Sequence, residues 1–371
     1  MSFRLLGLLV VSIIVALAAV AFAVALTRDD GAPPGTFPPP APPGTLPIAV
    51  VGDSNSHSYQ DHVAFWRGGE ARGGPLHDRT FQWTEVLALL RGNELDFGPW
   101  VRWGRPWWSA FARDLVGLPP SRSPIKEDYL YNFAYSGAAC KELMGDRRGL
   151  RFPQVPRLIA LMNAQPERWR HGVVVIYMGL NDWAFRLDTM ARDPDSPELR
   201  GAIDYCTQQI TRSIHAIHAS HPSVRILVSG WVNEADDPQQ LDKYRDAVSS
   251  TNIRKALARA NAALRGIAEA DPKRIAFFDA DAWFIERWGM RGPDGEPSTR
   301  TVRVGSLVVT NTLGDEPGNA LLRDDHAGLA WNAMWAQSML AQLRESFGLP
   351  LTPITDEEVA RFVEAPPSAP N

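Results

Sequence analysis

Four short, mainly apolar segments that suit strands, separated by segments of helical character, limit the fold of this chain more than any other feature of its sequence. They occupy residues 48–51, 173–178, 224–232 and 275–278. Continuous apolar runs are typical of strands that are buried on both faces of a parallel sheet. Between the runs, apolar residues recur at helical spacing, most clearly in 199–219 and 252–270. This alternation predicts an α/β fold whose parallel sheet has helices on both faces.

The remaining segments predict additions to that sheet. Residues 81–90, 155–164 and 329–347 are expected to be helices, and residues 301–312 are expected to form a β-hairpin insertion. The segment 66–108 contains six of the thirteen tryptophans among glycines, arginines and prolines, which is typical of an irregular insertion. The last residues, 351–371, are expected to form a flexible tail.

The first 30 residues have the pattern of a membrane anchor. Residues 5–26 carry no charge, and a helix of that length would span ~33 Å, enough for the hydrocarbon core of a bilayer. The triplet Ala21-Phe22-Ala23 would also suit a signal peptidase, so a cleaved signal is the alternative. Either interpretation predicts that the rest of the chain lies outside the cytoplasm, in the periplasm or at the cell surface.

After the anchor, composition predicts a tether and then one large domain. Residues 31–47 contain eight prolines and three glycines, so they are expected to form an extended linker ahead of a domain at 48–350. A net charge of −4 gives no electrostatic reason to expect a nucleic-acid partner. The two cysteines, Cys140 and Cys206, exclude a disulfide framework but leave open one bridge or two buried thiols.

Polar residues follow the apolar runs at the positions where catalytic groups are expected. Gly52, Asp53 and Ser54 come directly after the first run, and ligands of open α/β sheets bind at the carboxyl ends of strands. The second run is followed by Gly179-Leu180-Asn181-Asp182, and Asp324-Asp325-His326 precedes the last predicted helix. A serine needs a base to remove its proton as it attacks, and His326 can serve as that base.

Together with the segment from Asn132 to Gly137, these motifs resemble the SGNH (GDSL-type) hydrolases over residues 47–349. The resemblance implies a three-layer α/β/α fold with a flavodoxin-like parallel sheet and loop insertions. It also implies a serine esterase that needs no cofactor. Ser54 would be the nucleophile and His326 the base. The oxyanion would be held by the backbone N–H groups of Ser54 and Gly137 and by the side-chain amide of Asn181.

The acid of the triad departs from the family pattern. An aspartate is usual three residues before the histidine, and Arg323 occupies that position here. Asp324 would reach the imidazole if the turn were tighter by one residue. The alternative is a Ser–His dyad in which a backbone carbonyl orients the ring. Asp53 is expected to hold the turn and not to take part in the triad.

Two other groups of residues bear on binding. Trp103, Trp107 and Trp108 would form a carbohydrate-binding surface, since indole faces stack on sugar rings, although they could instead pack the insertion. The histidines near Ser54 are His57, His62 and His77. Because their spacing matches no metal motif, no metal site is expected.

These features predict an extracytoplasmic serine esterase that removes O-acyl groups, in the first instance O-acetyl groups, from a carbohydrate. A lipid or small-ester hydrolase would use the same chemistry. A glycan O-acyltransferase, which passes the acyl group to a sugar hydroxyl, and a non-catalytic glycan-binding domain are the alternatives from other classes. The acyl group, the oligomeric state and the choice between hydrolysis and transfer stay open.

Overall fold

A computed structural model describes residues 42–118, 122–145, 153–297 and 300–367, together with residues 16, 19, 20 and 23. Its centre is a parallel sheet of five strands, which are β1 (Leu46–Gly52), β2 (Leu95–Asp96), β5 (Val173–Tyr177), β6 (Arg225–Ser229) and β7 (Ile275–Phe278). Across the sheet their order is β2-β1-β5-β6-β7. The four apolar runs of the sequence all lie in this sheet, at β1, β5, β6 and β7.

Helices cover both faces of the sheet. The helices are α1 (Trp83–Arg91), α2 (Trp107–Leu115), α3 (Lys141–Met144), α4 (Gln154–Met162), α5 (Pro166–Trp169), α6 (Leu180–Trp183), α7 (Leu187–Arg192), α8 (Pro197–Ser220), α9 (Ala247–Glu269), α10 (Ala280–Trp288), α11 (Leu329–Phe347) and α12 (Asp356–Glu364). The predicted helices at 81–90, 155–164, 199–219, 252–270 and 329–347 correspond to α1, α4, α8, α9 and α11.

Two hydrophobic cores explain why the strands are apolar without interruption. In β1, Ala49 and Val51 face one core, which also contains residues of α4, α8 and α9. Ile48 and Val50 face the other core, which contains residues of α1, α10, α11 and α12. Successive side chains of a strand point to opposite faces, so a sheet covered twice needs apolar residues at every position. The prediction of a three-layer α/β/α fold is confirmed.

Two smaller sheets lie outside the central one. The antiparallel pair β3 (Trp100–Trp103) and β4 (Lys126–Tyr129) belongs to the tryptophan-rich insertion. The predicted hairpin is present as β8 (Thr301–Val304) and β9 (Leu307–Leu313), which pair antiparallel. The short strand β10 (Asn319–Leu321) then lies parallel to β9 and leads to the segment that contains His326.

The expected flexible tail is wrong for most of its length. Thr355 and Glu358 form a capping box that starts α12, and Val359, Phe362 and Val363 are buried against the core. Prolines at 350 and 353 interrupt the helical pattern, so the sequence favours an end of the domain at the helix before them. An amphipathic helix with this cap can still fold back onto the sheet.

The predicted anchor at 5–26 lies almost wholly outside the described residues, as does most of the tether. Within the ranges that are described, no helix combines the length and the apolar character needed to cross a bilayer. The described domain begins at Pro42, and β1 starts at Leu46, slightly before the predicted end of the tether.

Candidate active site

The predicted catalytic residues meet at one cavity. Ser54, Asn181, Asp324 and His326 all line a cavity of about 410 Å³. Ser54 and Asn181 are neighbours because Gly52 pairs with Tyr177, so β1 and β5 end at the same level. His326 arrives from the other side, after β10. The cavity therefore lies at the carboxyl edge of the parallel sheet, as expected for this fold class.

The turn that presents Ser54 is built by Asp53. Its Oδ1 accepts a hydrogen bond from the backbone N–H of Asn55 at 3.0 Å, and its backbone carbonyl accepts from Ser56 and His57, both at 3.1 Å. The Asp53 side chain is fully buried, and this burial raises the pKa of its carboxyl to about 7. Asp53 thus holds the turn from which Ser54 lines the cavity.

The amide of Asn181 is oriented by the loop that contains Gly137. Asn181 Nδ2 donates to the carbonyl oxygen of Ala138 at 2.8 Å, which fixes one amide hydrogen and leaves the second for a ligand. Gly137 has a φ of +80°, and no atom lies within 4 Å of where its Cβ would be. A side chain there would be strained by the backbone and would project into open space, where a substrate oxygen needs access to the N–H.

The shortened spacing at the histidine is accommodated by Asp325. This residue has a φ of +66°, in the left-handed region, and the turn is closed by a 2.7 Å hydrogen bond from Leu322 N to the His326 carbonyl. As a result His326 Nδ1 lies 2.9 Å from the backbone oxygen of Asp324 and 3.4 Å from its Oδ1. The hydrogen bond goes to the carbonyl, with the carboxylate slightly beyond bonding distance.

Asp324 is therefore the partner of His326 in both of the arrangements that the sequence leaves open. Its backbone oxygen lies within hydrogen-bond distance of Nδ1, while its carboxylate supplies a negative charge beside the ring. Arg323, at the usual position of the acid, has a largely exposed side chain, and its Nε lies 3.4 Å from Asp315. It takes no part in orienting the imidazole.

Arg72 is a site residue that the sequence does not reveal. Its backbone N and its Nη1 donate to Asp324 Oδ2 at 2.9 and 2.5 Å, and Nη1 also lies 2.8 Å from His326 Nδ1. The buried guanidinium packs over Phe65, 4.5 Å from the ring centre. Burial alone would raise the pKa of Asp324, but contact with His326 and the Arg72 cation lowers it well below the usual range.

A chain of hydrogen bonds connects Arg72 to the loop that contains Ser136 and Gly137. Arg72 Nη2 donates to Ser136 Oγ at 3.2 Å, and Ser136 N donates to His57 Nδ1 at 3.1 Å. His57 Nε2 in turn lies 2.8 Å from Asp61 Oδ2. Burial lowers the pKa of His57 and favours the neutral ring, which accepts at Nδ1 and donates to Asp61. The loop before Gly137 is thereby linked to the Asp324–His326 pair.

The tryptophans predicted to bind substrate do not line this cavity. Trp103 is 8% exposed and its ring lies against Arg122, while Trp107 and Trp108 are on the outer surface of α2. They follow the edge strand β2, which pairs only with Leu46 and Pro47 at the start of β1, so the chain leaves the sheet there well before the level at which β1 and β5 end. Three other tryptophans line the cavity instead, with Tyr177 and Phe185; they are Trp183, Trp231 and Trp331.

Carboxyl groups form the remaining polar wall. Glu234 and Asp237 come from the loop after β6 and line the cavity with Asp325. Burial and the charge of Asp325 raise the pKa of Glu234 to about 8, and burial with repulsion from Glu234 raises that of Asp237. Among the described residues that line the cavity, none is a lysine or an arginine.

The cysteines form a disulfide, Cys140–Cys206, between the start of α3 and the middle of α8. In the described ranges, the side chains close enough together to share a cation are these two and Asp182. With both sulfurs in a covalent bond, no thiolate is left as a ligand, and Asp182 instead accepts from Cys140 N at 2.7 Å. His57, His62 and His77 do not gather into such a group within the described ranges.

No protein-family model and no curated protein sequence matches this chain. Solved structures with a similar chain course include two lipolytic enzymes. The lipase Lip_vut3 from a goat rumen metagenome is 14% identical, with a TM-score of 0.39, over 81% of this chain and 97% of its own. Phospholipase A1 from Streptomyces albidoflavus NA297 is 13% identical, with a TM-score of 0.40, over 80% and 99%.

A catalytic mutant of Axe2, an acetylxylan esterase from Geobacillus stearothermophilus, is 12% identical, with a TM-score of 0.36, over 82% of this chain and 96% of its own. At these values the matches say nothing about substrate or catalytic residues. In this chain Ser54, Asn181 and His326 lie together at the carboxyl edge of the parallel sheet, which is the arrangement that the resemblance of the sequence to SGNH hydrolases predicts.

Proposed function

We propose that this protein is a serine esterase of the SGNH type that removes acyl groups from a carbohydrate. The observation that carries the proposal is the meeting of Ser54, Asn181 and the Asp324–His326 pair at one cavity, although they come from distant parts of the chain. A nucleophile, a base with a fixed tautomer and an oxyanion donor are the three parts that acyl transfer through a serine requires.

In the first half of the reaction, Ser54 Oγ attacks the ester carbonyl carbon and its proton passes to His326 Nε2. The oxyanion is held by Asn181 Nδ2 and by the backbone N–H groups of Ser54 and Gly137. Collapse of the intermediate breaks the ester bond, and His326 returns the proton to the leaving alcohol. Water then attacks the acyl-enzyme by the same steps and releases the acid.

Asp324 keeps the imidazole in the tautomer that this sequence requires. With the proton of Nδ1 directed to the Asp324 carbonyl at 2.9 Å, Nε2 is free to accept from Ser54. When the ring becomes doubly protonated, the nearby Asp324 carboxylate stabilises its charge. Arg72 Nη1 is a donor only and lies 2.8 Å from Nδ1, so a protonated Nδ1 requires that this N–H be directed to the Asp324 carboxylate, which Arg72 fixes.

The cavity lining supports a carbohydrate ester over an anionic lipid. Trp183, Trp231 and Trp331 offer ring surfaces of the kind that pack against sugars. Glu234 and Asp237 can exchange hydrogen bonds with hydroxyl groups, and among the described residues that line the cavity no lysine or arginine is present to bind a phosphate. A short acyl group such as acetyl on a neutral or amino-bearing sugar suits this lining best.

An extracytoplasmic, membrane-anchored location is part of the proposal. The uncharged stretch at 5–26 and the proline-rich tether at 31–47 support it from the sequence. The disulfide between Cys140 and Cys206 supports an oxidising compartment, since such bonds are rare where thiols are kept reduced.

The test uses the full chain in detergent, an acetylated glycan, a series of p-nitrophenyl esters and a fluorophosphonate probe. We expect acetate release from the glycan, and probe labelling that Ser54→Ala abolishes. Ser136→Ala is the matched control, because Ser136 Oγ lies 3.1 Å from His57 Nδ1 in a Ser–His–Asp arrangement of its own. Labelling lost in Ser136→Ala and kept in Ser54→Ala would overturn the assignment, and activity on long-chain esters alone would overturn the substrate class.

A further inference from the structure

Helix α2 directs its large apolar side chains outward and its small side chains toward the protein. Trp107, Trp108, Phe111 and Leu115 are 46%, 43%, 43% and 75% exposed and share one face. The face toward the protein is made of small residues, Ser109, Ala110 and Ala112, which are all buried. Amphipathic helices of soluble domains normally place the larger apolar residues inward.

The exposed patch extends past the end of the helix. Val116 is 56% exposed and Leu118 37%, so six apolar side chains within twelve residues face outward. Exposed apolar residues are normally scattered singly, whereas a contiguous patch marks a surface that something covers. Tryptophan and phenylalanine with leucine are the side chains that helices use to lie in the boundary between headgroups and acyl chains.

The position of α2 relative to the tether favours a bilayer as the partner. Pro42, where the described domain begins, lines a surface cavity together with Pro99. From Pro99 to Trp107 the chain has eight residues, which can span at most ~30 Å. The 15 residues from 27 to 41 can extend ~45 Å from the end of the apolar stretch. The tether is long enough for α2 to reach the membrane that holds the anchor.

We propose that the exposed face of α2 docks onto the surface of the phospholipid bilayer in which residues 5–26 are anchored. Trp107, Trp108, Phe111 and Leu115 enter the boundary below the headgroups, and the domain lies on the membrane instead of moving freely at the end of its tether. The proposal rests on the proposed anchor and is independent of the esterase chemistry.

Tryptophan fluorescence tests the docking directly, because the first tryptophan of the chain is Trp66 and the anchor and tether contain none. The full chain is placed in phosphatidylcholine nanodiscs with either ordinary or brominated acyl chains, which quench tryptophans at close range. We expect brominated lipid to lower the emission of the wild type. In the Trp107→Phe/Trp108→Phe variant, at least half of that quenching should be lost.

Trp66→Phe is the matched control, since Trp66 is 71% exposed but lies outside α2, and it should keep the full quenching. Unquenched wild-type emission, or quenching that the double variant retains, would overturn the proposal. A face that pairs two copies would instead make the chain dimeric in detergent and leave emission in the discs unchanged. Co-elution of the chain with the discs tests the anchor separately, and its failure would remove both the anchor and this docking.

Discussion

Arg72 donates two hydrogen bonds to the same oxygen of Asp324, one from its backbone at 2.9 Å and one from its guanidinium at 2.5 Å, across 252 residues of sequence. These two donors fix Oδ2 and leave Oδ1 facing His326, 3.4 Å from Nδ1. The orientation of His326 therefore depends on a loop near the start of the domain as well as on its own turn.

Asp324→Asn should lower kcat by ~10²–10⁴ with little change in KM. The backbone acceptor for Nδ1 survives in the variant, but the negative charge beside the imidazolium is lost and Arg72 is left uncompensated next to the ring. Steady-state kinetics on a soluble ester would measure this. Asp325→Asn is the control, because asparagine tolerates the left-handed φ of 66° and should stay within a few-fold of wild type. A loss of only a few-fold in Asp324→Asn would mean that the carbonyl alone suffices.

Arg72→Lys should lower kcat by ~10–100-fold and leave KM nearly unchanged. One ammonium cannot reach Asp324 and Ser136 together, and a hydrogen bond to a charged group contributes ~1.5–3 kcal/mol. Arg67→Lys, at an exposed arginine that pairs with Asp78 on the surface, should have no effect on kinetics. If the fall in kcat were no larger than the accompanying loss of folded protein in a thermal melt explains, Arg72 would be a structural residue and not a positioning one.

Asn181→Ala should lower kcat by ~10²–10³, the usual loss for one oxyanion donor, because its free amide hydrogen faces the cavity. The melting temperature should change little, since the amide's one protein contact is with Ala138. A fall in kcat of less than ten-fold would show that the backbone donors of Ser54 and Gly137 hold the oxyanion without Asn181.

Asp53→Asn should become more stable relative to wild type as the pH rises. The folded-state pKa of Asp53, about 7, lies above its ordinary value of 3.8, so the fold favours the protonated acid. The stability that this group contributes is complete below about pH 4 and is lost as the pH rises toward 7. Urea unfolding at pH 5 and pH 7.5 should show a relative gain of ~2 kcal/mol for the variant. A constant difference between the two pH values would contradict a raised pKa.

The fold and the outline of the site were within reach of the sequence for physical reasons. A sheet covered on both faces needs largely apolar strands, so the apolar character of β1, β5, β6 and β7 predicts them. Because parallel strands end at the same edge, the residues that follow β1 and β5 must meet there. The histidine could be placed because it directly precedes α11. These inferences use only local periodicity and the geometry of parallel sheets.

Arg72 could not be found in this way, whereas α12 and the cavity tryptophans were missed although local signals for them exist, such as the capping box of Thr355 and Glu358. Arg72 lies in a glycine-rich loop whose path is fixed by contacts with Asp324 and Phe65. Asp324 is far away in the sequence, and Phe65 belongs to no motif. Trp183 and Trp231 were hidden among thirteen tryptophans, although their positions soon after β5 and β6 are a usable signal.

The Cys140–Cys206 bond has a consequence for where this protein can work. Cys140 follows the loop of Gly137 and Ala138, and the carbonyl of Ala138 orients Asn181. The disulfide therefore links the segment with the proposed oxyanion donors covalently to α8 and acts as a clamp on it. A newly made chain in a reducing cytoplasm would lack that clamp and would hold its donors loosely. In the exported esterase that we propose, the oxyanion donors would be completed only after export, which would protect the cell's own esters. Activity that falls on reduction and returns on reoxidation would show this dependence, and activity indifferent to reductant would refute it.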